Sequence, residues 1–131
     1  MADAPPPTRL SAPLPGAALH LLDSITEALT LPPGAAVVSG SHGGASAGRY
    51  ALQAGVALAV FNDAGGGLDH AGIAALPMLQ AAGVPACAVA HTSARIGEAA
   101  STWHTGVVAH ANAAAQALGA VPGQPLRHWL R

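Results

Sequence analysis

The sequence predicts an α/β domain of three layers, built on a small, mostly parallel sheet of about four strands and preceded by an N-terminal amphipathic helix. Three observations carry that expectation. From Ala35 onward, short β-type runs alternate with alanine-rich helical ones, the pattern of βαβ units. The runs end in polar, glycine-containing loops, where strand-to-helix connections belong. The chain has 131 residues, enough for one buried core and too few for two. The expected organisation is therefore a flexible Pro-rich tail over 1–15 and a single α/β domain over 16–131.

The elements follow in order. Pro5, Pro6, Pro7, Pro13 and Pro15 mark the tail. Ala18, Leu22, Ile25 and Leu29 recur at helical spacing, which predicts an amphipathic helix over Gly16 to Thr30, stopped by Leu31-Pro32-Pro33-Gly34. A first strand is expected at Ala36 to Ser39, then a helix from Ala45 to Ala54 with Gly55 as its cap. A second strand, Val56 to Phe61, leads into Asn62-Asp63 and three glycines, after which Asp69 is expected to cap a helix towards Ala82. A third strand, Pro85 to Ala90, precedes a polar helical stretch from Glu98 to His104. The fourth, Val107 to Ala109, precedes a last alanine-rich helix ending near Gly119.

Composition excludes several classes of function. Five basic residues stand against six acidic ones and no lysine is present, so the electrostatic footprint of a nucleic-acid binder is missing. The longest apolar runs are strand-sized, far short of the roughly 20 residues of a membrane span. Neither nucleic acid nor membrane is therefore an expected partner. Charged residues make up only 8% of the chain, against roughly a quarter in ordinary globular proteins. A surface that neutral favours burial of some outer area in a homo-oligomer. Cys87 is the single cysteine, so no internal disulfide can form, and the expected compartment is the cytoplasm.

In a parallel sheet every strand delivers its following loop to one edge. Here those loops hold nearly all the reactive side chains: Ser41 and His42, Asn62 and Asp63, His91, Ser93 and Arg95, then His110 and Asn112. The expected chemistry is a small-molecule hydrolase acting on a carboxylate- or amide-bearing metabolite, with Ser41, His42, Asp63 and His91 near the reacting bond. Gly43, Gly44, Asn62, Ser93 and Arg95 are expected to bind a small anionic substrate. A non-catalytic anion-binding or regulatory subunit of a larger enzyme is the alternative.

Ser39-Gly40-Ser41-His42-Gly43 resembles the G-x-S-x-G nucleophile elbow of α/β-hydrolases, with Ser39 in place of the first glycine. That resemblance implies Ser41 as nucleophile, Asp63 as orienting carboxylate and His91 or His110 as base. His42-Gly43 also resembles the histidine loop of caspase-like cysteine peptidases. The matching strand end is Asn62-Asp63-Ala64, however, and Cys87 opens another strand, so that chemistry is not expected. The glycine loop departs from G-x-G-x-x-G and no Walker lysine exists, so no cofactor is expected. No metal is expected either, because His42, Asp63, His91 and His110 lack metal-ligand spacing.

Overall fold

A computed structural model describes residues 5–131. It is a single α/β domain on a five-stranded, mostly parallel sheet. The strands, β1 (Leu19–Leu22), β2 (Ala36–His42), β3 (Leu58–Asn62), β4 (Ala86–Val89) and β5 (Val108–Ala111), lie side by side in chain order. The first four are mutually parallel, whereas β5 runs antiparallel to β4. Five helices, α1 (Ala45–Ala54), α2 (Ala75–Ala81), α3 (Ala99–Thr105), α4 (Ala113–Ala117) and α5 (Leu126–Trp129), join two 3-10 segments, Ile25–Thr30 and Leu68–Ile73.

Both faces of the sheet are covered because the strands carry apolar side chains on both. Val37, Ala59, Phe61, Ala86 and Ala88 point towards the first 3-10 segment, α1 and α2. Ala36, Val38, Leu58, Val60, Cys87 and Val89 point the other way, beneath Trp103 of α3 and Leu126 and Trp129 of α5. The period-2 alternation of a strand thus feeds two cores at once. The first core is largely alanine, which lets its helices approach closely. A Cβ on Gly48 of α1 would stand 2.9 Å from Met78 Sδ and 3.1 Å from Ala75 Cα of α2.

Four expectations need correction. The helix expected over Gly16 to Thr30 is instead β1 followed by a 3-10 segment. Leu19 and Leu21 alternate onto one core, β1 pairs with β2 from Leu19↔Ala36 to Leu22↔Ser39, and a Ser24/Glu27 capping box restarts the chain. The first predicted strand does not end at Ser39 but continues to His42 across an irregularity in its pairing with β3, where Ser39 Oγ donates to Val60 O at 2.8 Å. Asp69 caps no helix; it and His70 take left-handed backbone conformations in the second 3-10 segment, and α2 starts only at Ala75. The last expected strand, which is β5, is antiparallel because the chain leaves α3 at the edge where β4 ended. Val107 O there accepts from Ala90 N at 2.9 Å, and the strand can only run back from that point.

Met1 to Ala4 of the expected tail lie outside the described residues. Further along it, Leu10 is buried, and the amides of Ser11 and Ala12 both donate to the Arg131 carbonyl. α1 spans the expected residues, with Gly55 in the left-handed conformation (φ 67°) that closes it. Among the described residues no helix is long and apolar enough to cross a membrane.

Candidate functional site

Three of the four predicted loops meet. His42 is in register with Asn62 across β2 and β3. Gly97, after β4, donates its amide to Gly40 O of β2, and a Cβ at Gly40 would collide with the backbone of Gly97 and Glu98. Glycine at position 40 thus serves close approach of two loops. Asn62 Nδ2 donates to Ala94 O at 3.1 Å while its Oδ1 accepts from Ala64 N at 2.8 Å, tying the β3 and β4 loops together. Of the fourth loop's two candidates His110 reaches this edge and Asn112 does not. With β5 antiparallel, Asn112 sits beside the start of β4, its amide donating to Ala86 O at 3.0 Å.

Asp63 is the centre of the arrangement. It is buried at the end of β3, and its Oδ1 accepts from Gly65 N at 2.8 Å and from His91 N at 2.9 Å. His91 Nδ1 approaches the same oxygen at 3.3 Å. In the tautomer in which Nδ1 donates to this carboxylate oxygen, the lone pair of the neutral ring is left on Nε2. Glycine at position 65 answers to its backbone, φ +77°, since a Cβ there would make only an ordinary contact of 3.5 Å with His91 Cε1. On the other oxygen, Oδ2, His110 Nε2 stands at 3.8 Å, an ion-pair separation when that ring is protonated. One buried carboxylate is therefore bracketed by two imidazoles, although only His91 follows a parallel strand.

An open cleft of about 950 Å³ lies beside this pair, lined by Asn62, Ala64, Ala94 and Ile96, by the His91-Thr92-Ser93 turn, and by Arg95, Glu98, Ser101 and Thr105. His91 is thus an imidazole beside a buried carboxylate at the wall of a cavity large enough for a metabolite. The α3 residues were not among the sequence candidates. Their spacing, Glu98, Ser101 and Thr105, places them on one helical face, and that signal was present in the sequence.

The remaining candidates have other engagements. Ser41 Oγ accepts from Ile25 N at 2.9 Å, anchoring the first 3-10 segment. Ser93 Oγ donates to Ala90 O at 2.7 Å and accepts from Val107 N at 3.0 Å, which fixes the entry to β5. Gly43 N donates to Asn62 O at 3.0 Å and Gly43 O accepts from Ala75 N, so this glycine joins loops. Gly44 is the N-cap of α1, and a Cβ on it would come within 3.0 Å of the exposed His42 ring. The Arg95 side chain is 82% exposed, with Nη1 4.0 Å from Glu98 Oε2. Among the described residues no group of three or more His, Cys, Asp or Glu side chains is placed to hold a metal ion. Burial pushes the Cys87 thiol up to about 12, so it is protonated and inert at neutral pH.

Comparison with known proteins finds no matching family model, curated protein or solved structure. Function must therefore be argued from the Asp63–His91 geometry itself.

Proposed function

We propose that the protein is a hydrolase of small carboxylate- or amide-bearing molecules in which His91, held by Asp63, takes a proton from the water that adds to the substrate's amide or ester carbonyl and returns it to the departing amine or alkoxide as the C–N or C–O bond breaks. The carrying observation is the Nδ1 to Oδ1 approach of 3.3 Å at the wall of the 950 Å³ cleft. A bare Nε2 is the base such a step needs, and the buried carboxylate stabilises the imidazolium that forms. Water is a better nucleophile for this reading than Ser41, whose hydroxyl already anchors a backbone amide. Substrate enters along the α3 wall, with Arg95 at the rim meeting its carboxylate. A cytoplasmic, homo-oligomeric enzyme is part of the proposal; a chain only 8% charged supports association between copies.

The test is a panel of small esters and amides assayed with the unaltered chain and with His91→Ala. A general base contributes about 10²- to 10⁴-fold, so kcat should fall by that factor while KM moves little. Unchanged turnover in His91→Ala would remove the proposal. One observation favours the second reading, a binding subunit without catalysis: Ser41 and Ser93, two hydroxyls expected in the site, are both committed to backbone partners.

A further inference from the structure

The loop from β3 to α2 concentrates backbone strain beside the candidate site. Among the described residues the only non-glycine residues with positive φ are Ala64 (51°), Asp69 (51°) and His70 (59°), and Gly65, Gly66 and Gly67 between them have positive φ as well. Such backbone is costly for a residue that carries a side chain, and it persists where the surrounding structure imposes it. Leu68, the one member of the run without it, is 85% exposed, the most exposed large apolar side chain among the described residues. Strained backbone and a solvated leucine both oppose stability, and neither serves the core.

The base of the loop is pinned. Gly66 N donates to Asp63 O at 2.7 Å and Gly72 N to Gly66 O at 2.8 Å, and a Cβ at Gly72 would collide with the Asp63 carbonyl, so glycine there lets the two ends meet. Beyond that pinch, residues 67–71 are all exposed. The nearest atoms to a Cβ on Gly67 would belong to Ala71 and Gly72, and one on Gly66 would meet nothing within 4 Å. The tip is a short flap on a fixed base, and that base is part of the site: Asp63 Oδ1 accepts from Gly65 N, Ala64 lines the cleft, and Gly65 lies against the His91 ring. Leu68 is three residues from Gly65, at most about 10 Å of chain. A turn of the tip about Gly66 and Gly67 therefore carries its side chain over the cleft.

We propose that residues 67–71 are a lid that closes over the cleft beside His91 and sets Leu68, with Ile96 of the cleft wall, against the apolar part of a bound molecule. The structure shows its open form, with Leu68 in solvent. Closure buries Leu68 and shuts water out of the cleft, as loop closure does where a reaction is sequestered from solvent. The ligand class that fits is an ester or amide with an apolar body, since a bare small acid offers Leu68 nothing to cover. The inference rests on the cleft beside His91 being the binding site, and not on His91 acting as a base.

Thiol cross-linking in the full chain tests the reach of the tip without any ligand. The pair Leu68→Cys and Ile96→Cys is compared with the pair Leu68→Cys and Gln53→Cys, the latter in the last turn of α1 at the far end from the cleft; Cys87 is buried and stays out of the reaction. A disulfide forms only when the Cα atoms come within about 7 Å. Under mild oxidation of dilute protein, the intramolecular bond read by mass spectrometry is expected to form about 100-fold faster in the first pair than in the second. The exposed sites should leave the Tm of the reduced variants within about 2 °C of the parent's, which separates reach from loss of fold. Leu68→Ser should raise KM for phenyl acetate about fivefold and leave that for methyl acetate unchanged, because only the phenyl ester has an apolar body to cover. Cross-linking no faster than in the control pair would overturn the lid, and an equal effect of Leu68→Ser on both esters would overturn its contact with the ligand. Turnover of neither ester counts against the hydrolase reading, and the cross-linking rate still decides the lid.

Discussion

Asp63 and Asn112 are near twins in burial, 7% and 8% exposed, and both sit at strand ends, yet they do opposite work. Asn112 spends its whole amide on backbone: Oδ1 accepts from Ala86 N at 3.0 Å and Ala115 N at 2.9 Å, while Nδ2 donates to Leu76 O at 3.3 Å and Val84 O at 2.9 Å. It pins the start of β4, the end of β5 and the first turn of α4. Asp63 also accepts from two amides, but its remaining capacity faces two imidazoles, one of them on the wall of the cleft. Buried polar groups at strand ends thus divide by their partners. Those satisfied by backbone hold the fold, and those facing titratable side chains are the candidates for chemistry.

The largest expected effect breaks the structural member of the pair. Asn112→Ala leaves two amides and two carbonyls unpaired and should cost about 3 kcal/mol, roughly 10 °C in Tm. An unfolding free energy within about 1 kcal/mol of that of the parent protein would contradict the assignment. The same variant sharpens the contrast through Cys87, which is in register with Ala111 across the β4–β5 seam that Asn112 pins. Its buried, protonated thiol reacts only when the seam opens, so Asn112→Ala should speed labelling by a thiol reagent about 100-fold. In Asp63→Asn the labelling rate should change less than tenfold.

The smallest effect on stability is that of Asp63→Asn itself. The amide oxygen still accepts from Gly65 and His91, so the cost should be about 1 kcal/mol, read from urea denaturation. A loss as large as that of Asn112→Ala would make Asp63 a second structural clamp and dissolve the distinction.

Much of the fold was legible in the sequence, for reasons tied to particular residues. The bounds of α1 are legible because Gly44 and Gly55 punctuate an alanine-rich run, and those of β3 and β4 are legible to within two residues at each end because each lies in a short, uninterrupted apolar run. β1 was missed because Leu19, Leu21, Leu22 and Ile25 satisfy helical and strand periods together. Only the Ser24/Glu27 capping box, readable as S-x-x-E, marks the break. The direction of β5 was hidden because it depends on where α3 delivers the chain, a tertiary fact. That one reversal moves Asn112 away from the site.

The site itself was half legible. Asp63 and His91 were named from their positions after β3 and β4, and the structure joins them. The engagement of Ser41 with Ile25 N could not be foreseen, because it requires knowing that a 3-10 segment packs over the end of β2. Arg95 was chosen as a rare charge in a polar loop, and its pairing with Glu98 three residues on is what helical spacing alone suggests.

The orientation of His91 by Asp63 is tested most directly by the imidazole tautomer, read from long-range ¹H–¹⁵N correlations in the neutral ring. The hydrogen is expected on Nδ1 of His91, with Nε2 bare, and Asp63→Asn should shift the ring towards the Nε2–H form. A wild-type His91 carrying its hydrogen on Nε2, unchanged by that substitution, would contradict the account.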